Sequence, residues 1–146
     1  WAIEEGLIDK DAYIQVGIRC PLSGAGDLED ARLLGAQVIT IHDAFEMGIP
    51  AVISAIRKKV GSKLVYVSLD IDAADPAYAP GTGTPEVGGF SSYQMQQLLR
   101  GLLGLNLVGF DLVEVCPPYD HSDITAILGA NLVFEFLALL AKKRSV

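Results

Sequence analysis

The chain has 146 residues, of which 51% are hydrophobic and 20% are charged, and its formal net charge is -7. This composition is typical of a globular protein with a core of its own. The acidity argues against nucleic acid as a partner and weakly favours a cationic substrate. No uninterrupted apolar run approaches the roughly 20 residues of a membrane-spanning helix, and no signal peptide is recognisable. We therefore expect a cytoplasmic protein with no membrane partner.

Strand-like apolar runs alternate with helical stretches along the chain. The pattern predicts strands at 13–18, 36–41, 64–71 and 107–115, and helices at 28–34, 49–60, 91–103 and 122–143. Strands that are joined through helices form right-handed parallel units, so we predict an α/β fold with three layers (α-β-α) and a mostly parallel sheet. In such sheets ligands bind at the carboxyl ends of the strands.

The third predicted strand ends in carboxylates. Its odd positions are apolar, whereas its even positions change from apolar to acidic and run Leu64, Tyr66, Ser68, Asp70, Asp72. Carboxylates at i and i+2 of a strand point the same way, roughly 6 to 7 Å apart, and repel each other unless a divalent cation neutralises them. Ser68 would then hydrogen-bond a ligand from the same face. Alternatively, both aspartates cap loops or pair with basic residues.

The loop 73–89 that follows is long and rich in glycine and proline. A loop of this length inside a compact domain is uncommon unless it has a function. It is not a phosphate loop, because no Lys-Ser/Thr follows its glycines. The segments Ser68-Leu69-Asp70-Ile71-Asp72-Ala73-Ala74-Asp75-Pro76, Pro80-Gly81-Thr82-Gly83-Thr84-Pro85 and Gly88-Gly89 closely resemble the signature of the ureohydrolases, which include arginase, agmatinase and related amidinohydrolases.

The resemblance implies an arginase-like fold and a site with two manganese ions, in which Asp70 and Asp72 are metal ligands. Asp75 lies beyond the strand and precedes Pro76, so we expect it to have a structural role in the turn. The implied reaction is the hydrolysis of a linear guanidino compound to urea and an amine. The segment 114–125 resembles agmatinases and guanidinoalkanoate hydrolases more than arginases, which favours an agmatine-like substrate.

Glu114 ends the fourth predicted strand, after Val108, Phe110 and Leu112 on the same face. A carboxylate can bind a guanidinium through two parallel hydrogen bonds, and the resemblance assigns this role to Glu114. Asp111 faces the opposite way and receives no role. For His42 and His121, the two histidines of the chain, we expect loop or helix-capping roles.

The ureohydrolases also contribute a Gly-Gly-Asp-His and an Asp-Ala-His-x-Asp segment, and neither occurs in this sequence. The chain begins at Trp1 rather than at a methionine. We therefore expect residues 1–146 to be the C-terminal part of a single ureohydrolase domain, with catalytic residues in an N-terminal part and no activity of the chain alone. Resembling enzymes are commonly trimers or hexamers.

Two alternatives remain open from the sequence. One is a non-catalytic ureohydrolase homologue that acts as an assembly or regulatory subunit, although such a subunit would not need to keep Asp70, Asp72 and Glu114. The other is a metal-dependent deacetylase, whose fold resembles that of arginases. The Pro-Gly-Thr-Gly-Thr-Pro loop disfavours the deacetylase.

Overall fold

The computed structural model describes residues 1–19, 24 and 26–143 and divides into two compact units, Trp1–Lys63 and Leu64–Val146. Cys20, one of the two cysteines in the sequence, lies outside the described residues. In each unit two parallel strands pair, and the connection between them contains a helix. The expected α/β class with parallel strand pairing is thereby confirmed.

The first unit contains β1 (Ile14–Ile18), α1 (Asp27–Leu33), β2 (Gln37–Thr40), α2 (Ile41–Met47) and α3 (Ile49–Val60). The sequence pattern did not predict α2. This helix begins with a capping box in which the Thr40 hydroxyl accepts the Asp43 N–H, and the Asp43 carboxylate accepts the Thr40 N–H. Two side chains thus satisfy backbone groups that would otherwise lack partners at the helix start. His42 is an exposed residue of α2 rather than a loop residue.

The second unit contains β3 (Val65–Asp70), α4 (Ser92–Arg100), β4 (Leu107–Val113) and α5 (Ile124–Lys143). The register of the parallel pair places Val67 opposite Phe110 and Asp70 opposite Val113. Ser91 caps α4 through a capping box with Gln94, as its position in the sequence predicted.

Helix α5 packs on one face of β4 and along α4. The rings of Phe110 and Phe136 stack with centroids 4.4 Å apart and planes 9° from parallel. Buried positions recur along α5 at helical spacing and comprise Leu128, Leu132, Phe136 and Leu139. Strand β4, whose carboxyl end leads into the following loop, is therefore packed against α5.

Helix α5 is the longest helix of the second unit and is strongly apolar. By length and composition alone it could cross a membrane, and it is the one such helix in the described part of the chain. A core helix passes the same test. Its polar residues are used inside the unit: the Gln96 side chain donates to Asn131 at 2.6 Å, and the Arg100 guanidinium donates to Glu135 at 3.1 Å. One face of α5 is therefore packed inside the second unit.

Replacement of Phe136 by alanine is expected to lower the free energy of unfolding by about 3–5 kcal/mol, because a buried, stacked ring is lost. Phe134 provides a matched control on the same helix, since it is 67% exposed. Its replacement by alanine should change the free energy of unfolding by less than about 0.5 kcal/mol. Chemical denaturation of the purified protein, followed by circular dichroism, measures both. Equal losses would contradict the packing of α5 on β4.

Candidate metal and guanidinium site

Asp70 is the last residue of β3 and caps the short 3-10 turn that follows, Ile71–Ala73. Its Oδ1 accepts the backbone N–H of Asp72 at 3.0 Å. Burial raises the pKa of Asp70, and the negative charges of Asp72 and Glu114 raise it further, against the lowering effect of the Asp72 N–H. Three carboxyl groups therefore lie close enough to interact electrostatically, and a cation among them would relieve the repulsion.

Asp72 does not continue the strand. It lies in the 3-10 turn, so the prediction that both aspartates project from one strand at i and i+2 is wrong for Asp72. Its Oδ2 instead accepts the hydroxyl of Thr84, at 3.2 Å, from the far part of the glycine-rich loop. The turn keeps the two carboxyl groups adjacent and ties the second one to the loop.

Glu114 follows β4 directly, in a left-handed backbone conformation with φ of 64°. This conformation breaks the alternation of side chains that the sequence pattern assumed. Under strict alternation, Glu114 would share the face of Phe110, which stacks on Phe136 of α5. The charge of Glu114 instead raises the pKa of Asp70. A methyl group built on Gly83 would lie 3.9 Å from Glu114 Oε2, so the carboxylate sits beside the loop. We call Asp70, Asp72 and Glu114 the acidic edge.

Asp75 organises the near part of the loop. Its carboxylate accepts the N–H of Ala77 at 2.9 Å and the N–H groups of Gly88 and Gly89 at 2.7 and 3.2 Å. These bonds close the loop back on its own start, where Phe90 pairs with Ala74. The predicted structural role of Asp75 is confirmed.

The register of the sheet gives Ser68 and Asp111 roles that differ from those predicted from the sequence. Ser68 is directly opposite Asp111, and its hydroxyl donates to the Asp111 carboxylate at 2.7 Å. The hydroxyl of Tyr66 donates to the other oxygen at 3.0 Å. Asp111 thus shares the face of Ser68 and has a defined role, whereas the sequence pattern gave it none. The Ser68 hydroxyl, predicted to meet a ligand, is used within the sheet.

His121 precedes α5 and is exposed, and its backbone N–H donates to Asp120 at 2.9 Å. The expected loop position of this histidine is confirmed. Among the described residues of the second unit, no hydrogen bond joins the His121 side chain to the acidic edge.

Comparison with known proteins gives the family. A family model described as "Arginase family" matches residues 1–139. The chain belongs to the arginase family. It is 50% identical over 141 residues to a guanidinopropionase of Pseudomonas aeruginosa, covering 97% of this chain and 44% of that protein. Two solved structures are similar: a proclavaminate amidino hydrolase from Streptomyces clavuligerus (46% identity, TM-score 0.90) and a hypothetical agmatinase from Burkholderia thailandensis (43% identity, TM-score 0.89).

The alignments with these structures cover 94% and 99% of this chain but only 46% and 44% of theirs. The chain thus spans less than half the length of these arginase-family relatives. The predicted arginase-like fold is confirmed for the part that is present, and the match favours a ureohydrolase over a deacetylase.

The donor chemistry of the acidic edge fits part of a divalent-cation site. Carboxylate oxygens suit magnesium and manganese, and addition of imidazole shifts the preference toward manganese and later transition metals. Across residues 1–19, 24 and 26–143, no group of three or more His, Cys, Asp or Glu is placed to hold a metal ion. The described residues therefore supply carboxylate oxygens at this edge but do not form a complete metal-binding group.

Two features of the site were missed from the sequence. Thr84 belongs to the family signature, but the sequence analysis predicted no contact for it. A hydroxyl in a loop that follows a carboxylate pair is a usable signal for a hydrogen bond. The left-handed Glu114 had no local signal, because its conformation depends on pairing of Val115 with Thr82 in a distant loop.

Replacement of Gly89 by alanine is expected to destabilise the loop by about 2 kcal/mol or more, because the new methyl group would collide with backbone. The added carbon would lie 2.5 Å from the Asp75 nitrogen and 2.6 Å from the Ala74 carbonyl carbon. Gly83 in the same loop is the matched control, since the nearest atom would be 3.9 Å away. Thermal unfolding of both variants measures the difference. Equal stabilities would contradict the described loop.

Proposed function

We propose that this chain is the C-terminal part of a longer metal-dependent amidinohydrolase that cleaves a linear, agmatine-like guanidino compound into urea and an amine. The acidic edge carries the proposal, because it sets three carboxyl groups together at the ends of two paired strands. The names of the relatives support it, since guanidinopropionase and amidino hydrolase both denote action on a guanidino or amidino group.

Asp70 and Asp72 would hold a pair of manganese ions together with ligands from the rest of the protein. Such a pair, when bound, lowers the pKa of a water molecule so that hydroxide is available near neutral pH. Asp70 is suited to this role because its burial and its acidic neighbours disfavour a lone carboxylate charge. Thr84 would hold Asp72 in one orientation through the hydroxyl contact at 3.2 Å.

Glu114 would hold the substrate. A carboxylate pairs with a guanidinium through two parallel, charge-assisted hydrogen bonds, which fix both the position and the plane of the group. The left-handed backbone of Glu114 brings its carboxylate to the loop that also carries Thr84, rather than toward α5. The guanidinium carbon would thereby face the edge at which Asp70 and Asp72 stand.

The substrate tail is the part that the described residues define least. The named relatives handle guanidinopropionate-type and agmatine-type compounds, which share the guanidino end and differ in the tail. Glu114 would bind the guanidino end, which these compounds share. The segment 114–125 resembles agmatinases and guanidinoalkanoate hydrolases more than arginases. Agmatine is therefore our proposed substrate, and guanidinoalkanoates are its direct competitors in a test.

Replacement of Glu114 by glutamine in the complete protein should lower kcat/KM for agmatine or another guanidino substrate about 100-fold. The amide cannot supply the second charge-assisted bond to the guanidinium, and a loss of about 2.7 kcal/mol corresponds to this factor. Release of urea is the measurement. Glu46 lies exposed on α2, and its change to glutamine is the control that should leave the rate unchanged.

A wild-type complete protein that releases no urea from agmatine and from guanidinoalkanoates would overturn the proposed hydrolase. It would favour the alternative that this protein is a non-catalytic homologue. A fully active Glu114→Gln variant would instead overturn only the role of Glu114.

Replacement of Asp70 or Asp72 by asparagine should remove manganese from the complete protein, because each change removes an anionic oxygen ligand. Metal content per folded molecule, measured by mass spectrometry after dialysis, should fall by at least about half, because each variant loses a charged ligand. Asp43→Asn is the control, since Asp43 is an exposed carboxylate that caps α2. Full manganese content in both Asp70 and Asp72 variants would contradict the ligand assignment.

A further inference from the structure

Glu114 is a single residue between two hydrogen-bonded stretches of backbone. On its N-terminal side, Val113 pairs with Asp70 in the parallel sheet. On its C-terminal side, Val115 forms an antiparallel bridge with Thr82, and the Cys116 N–H donates to the Gly81 carbonyl at 2.7 Å. A left-handed conformation is unfavourable for a residue with a side chain and persists only when its surroundings enforce it. The segment around Gly81 is therefore what holds Glu114 in place.

Gly81 is in turn held by the start of α5. Its N–H donates to the hydroxyl of Thr125 at 2.7 Å, and Thr125 is 0% exposed. A methyl group on Gly81 would lie 2.7 Å from Cβ and 2.9 Å from Cα of Asp120. Only glycine can approach the Asp120 backbone so closely. The close packing of Gly81 against Asp120 therefore restricts the position of Gly81.

Asp120 fixes Thr125 in the same way. Its carboxylate accepts the N–H groups of Thr125 and Ala126, each at 3.0 Å. Burial raises the pKa of Asp120, but these two N–H groups and the Thr125 hydroxyl lower it more, so that the carboxylate stays ionised. Two left-handed residues, Ser122 and Asp123, lie between the aspartate and the helix, and the cap is what offsets their strain.

We propose that Thr125 and Asp120 are positioning residues for guanidinium recognition, acting on Glu114 through the backbone of Gly81 and Cys116. This inference rests on the proposed function of Glu114. The Thr125 hydroxyl accepts the Gly81 N–H and the Thr125 backbone N–H donates to Asp120, so one buried residue links the helix, the loop and the strand end. Neither residue touches the substrate; each sets the place of the carboxylate that does.

The test compares Thr125→Val with Thr125→Ser in the complete protein. Valine keeps the shape but removes the hydroxyl, which should raise KM for the guanidino substrate about 10-fold, within the range for loss of a buried hydrogen bond, and leave kcat within about threefold. Serine keeps the hydroxyl and should restore KM to within about threefold of wild type. Asn131→Ala is the control on the same helix, because it removes the contact with Gln96 without touching the loop. It should leave KM unchanged.

Amide hydrogen exchange gives a readout that does not require turnover. Thr125→Val should speed exchange at Gly81 and Cys116 at least about 10-fold, since one N–H loses its acceptor and the other is released with it. Asn131→Ala should leave both amides protected. If Thr125→Val does not fold, Asp120→Asn, which weakens the same contacts, carries the same two expectations.

An unchanged KM in Thr125→Val, or unchanged exchange at Gly81 and Cys116, would overturn the proposal. A raised KM that serine does not restore would also overturn it, because the effect would then not come from the hydroxyl. Failure of the wild-type protein to release urea counts against the proposed function instead. In that case hydrogen exchange still decides whether Thr125 holds residues 114–116.

Discussion

The parallel pairing of β3 with β4 is the constraint on which the candidate site depends. It places Asp70 opposite Val113, so that the two strands end side by side and the residues that leave them are neighbours. Burial and the charges of Asp72 and Glu114 then raise the pKa of Asp70. Packing of α5 under β4 stabilises this arrangement, because it holds the strand end that precedes Glu114. Repulsion among the three carboxyl groups of the acidic edge thus disfavours the folded state. Such repulsion is typical of functional sites in which a cation or a guanidinium completes the site.

Much of the fold could be predicted from the sequence because it is encoded locally. The apolar runs that became β3 and β4 and the helical spacing of α5 were sufficient for the parallel α/β class. Helix α2 was missed because its seven residues are short for a periodic signal and its start depends on the cap between Thr40 and Asp43.

The sequence predicted that Asp70, Asp72 and Glu114 lie at the carboxyl ends of strands, and it predicted their geometry less well. Alternation along a strand holds only while the strand continues, and both acidic ends lie where it stops. Asp72 sits in a 3-10 turn and Glu114 in a left-handed bend. Contacts with the loop 80–89 accompany both conformations, since Thr84 donates to Asp72 and Thr82 pairs with Val115, and this loop is distant in sequence from Glu114. The register that pairs Ser68 with Asp111 is likewise a property of two strands, and neither strand alone reveals it.

Helix α5 has a second apolar face that the described residues leave exposed, with Ile127, Phe134 and Leu137 at 54% to 67% exposure. Exposed apolar stripes of this kind are typical of interaction surfaces. The chain spans less than half the length of its arginase-family relatives, so most of the relatives' length lies outside the matched part.

The most direct test is anomalous diffraction at the manganese edge from crystals of the complete protein grown with manganese and a guanidino ligand. We expect anomalous peaks within coordination distance of both the Asp70 and Asp72 carboxylates, with the guanidinium held by Glu114. Carboxylates of Asp70 and Asp72 paired with lysine or arginine side chains, and no metal peak beside them, would contradict it.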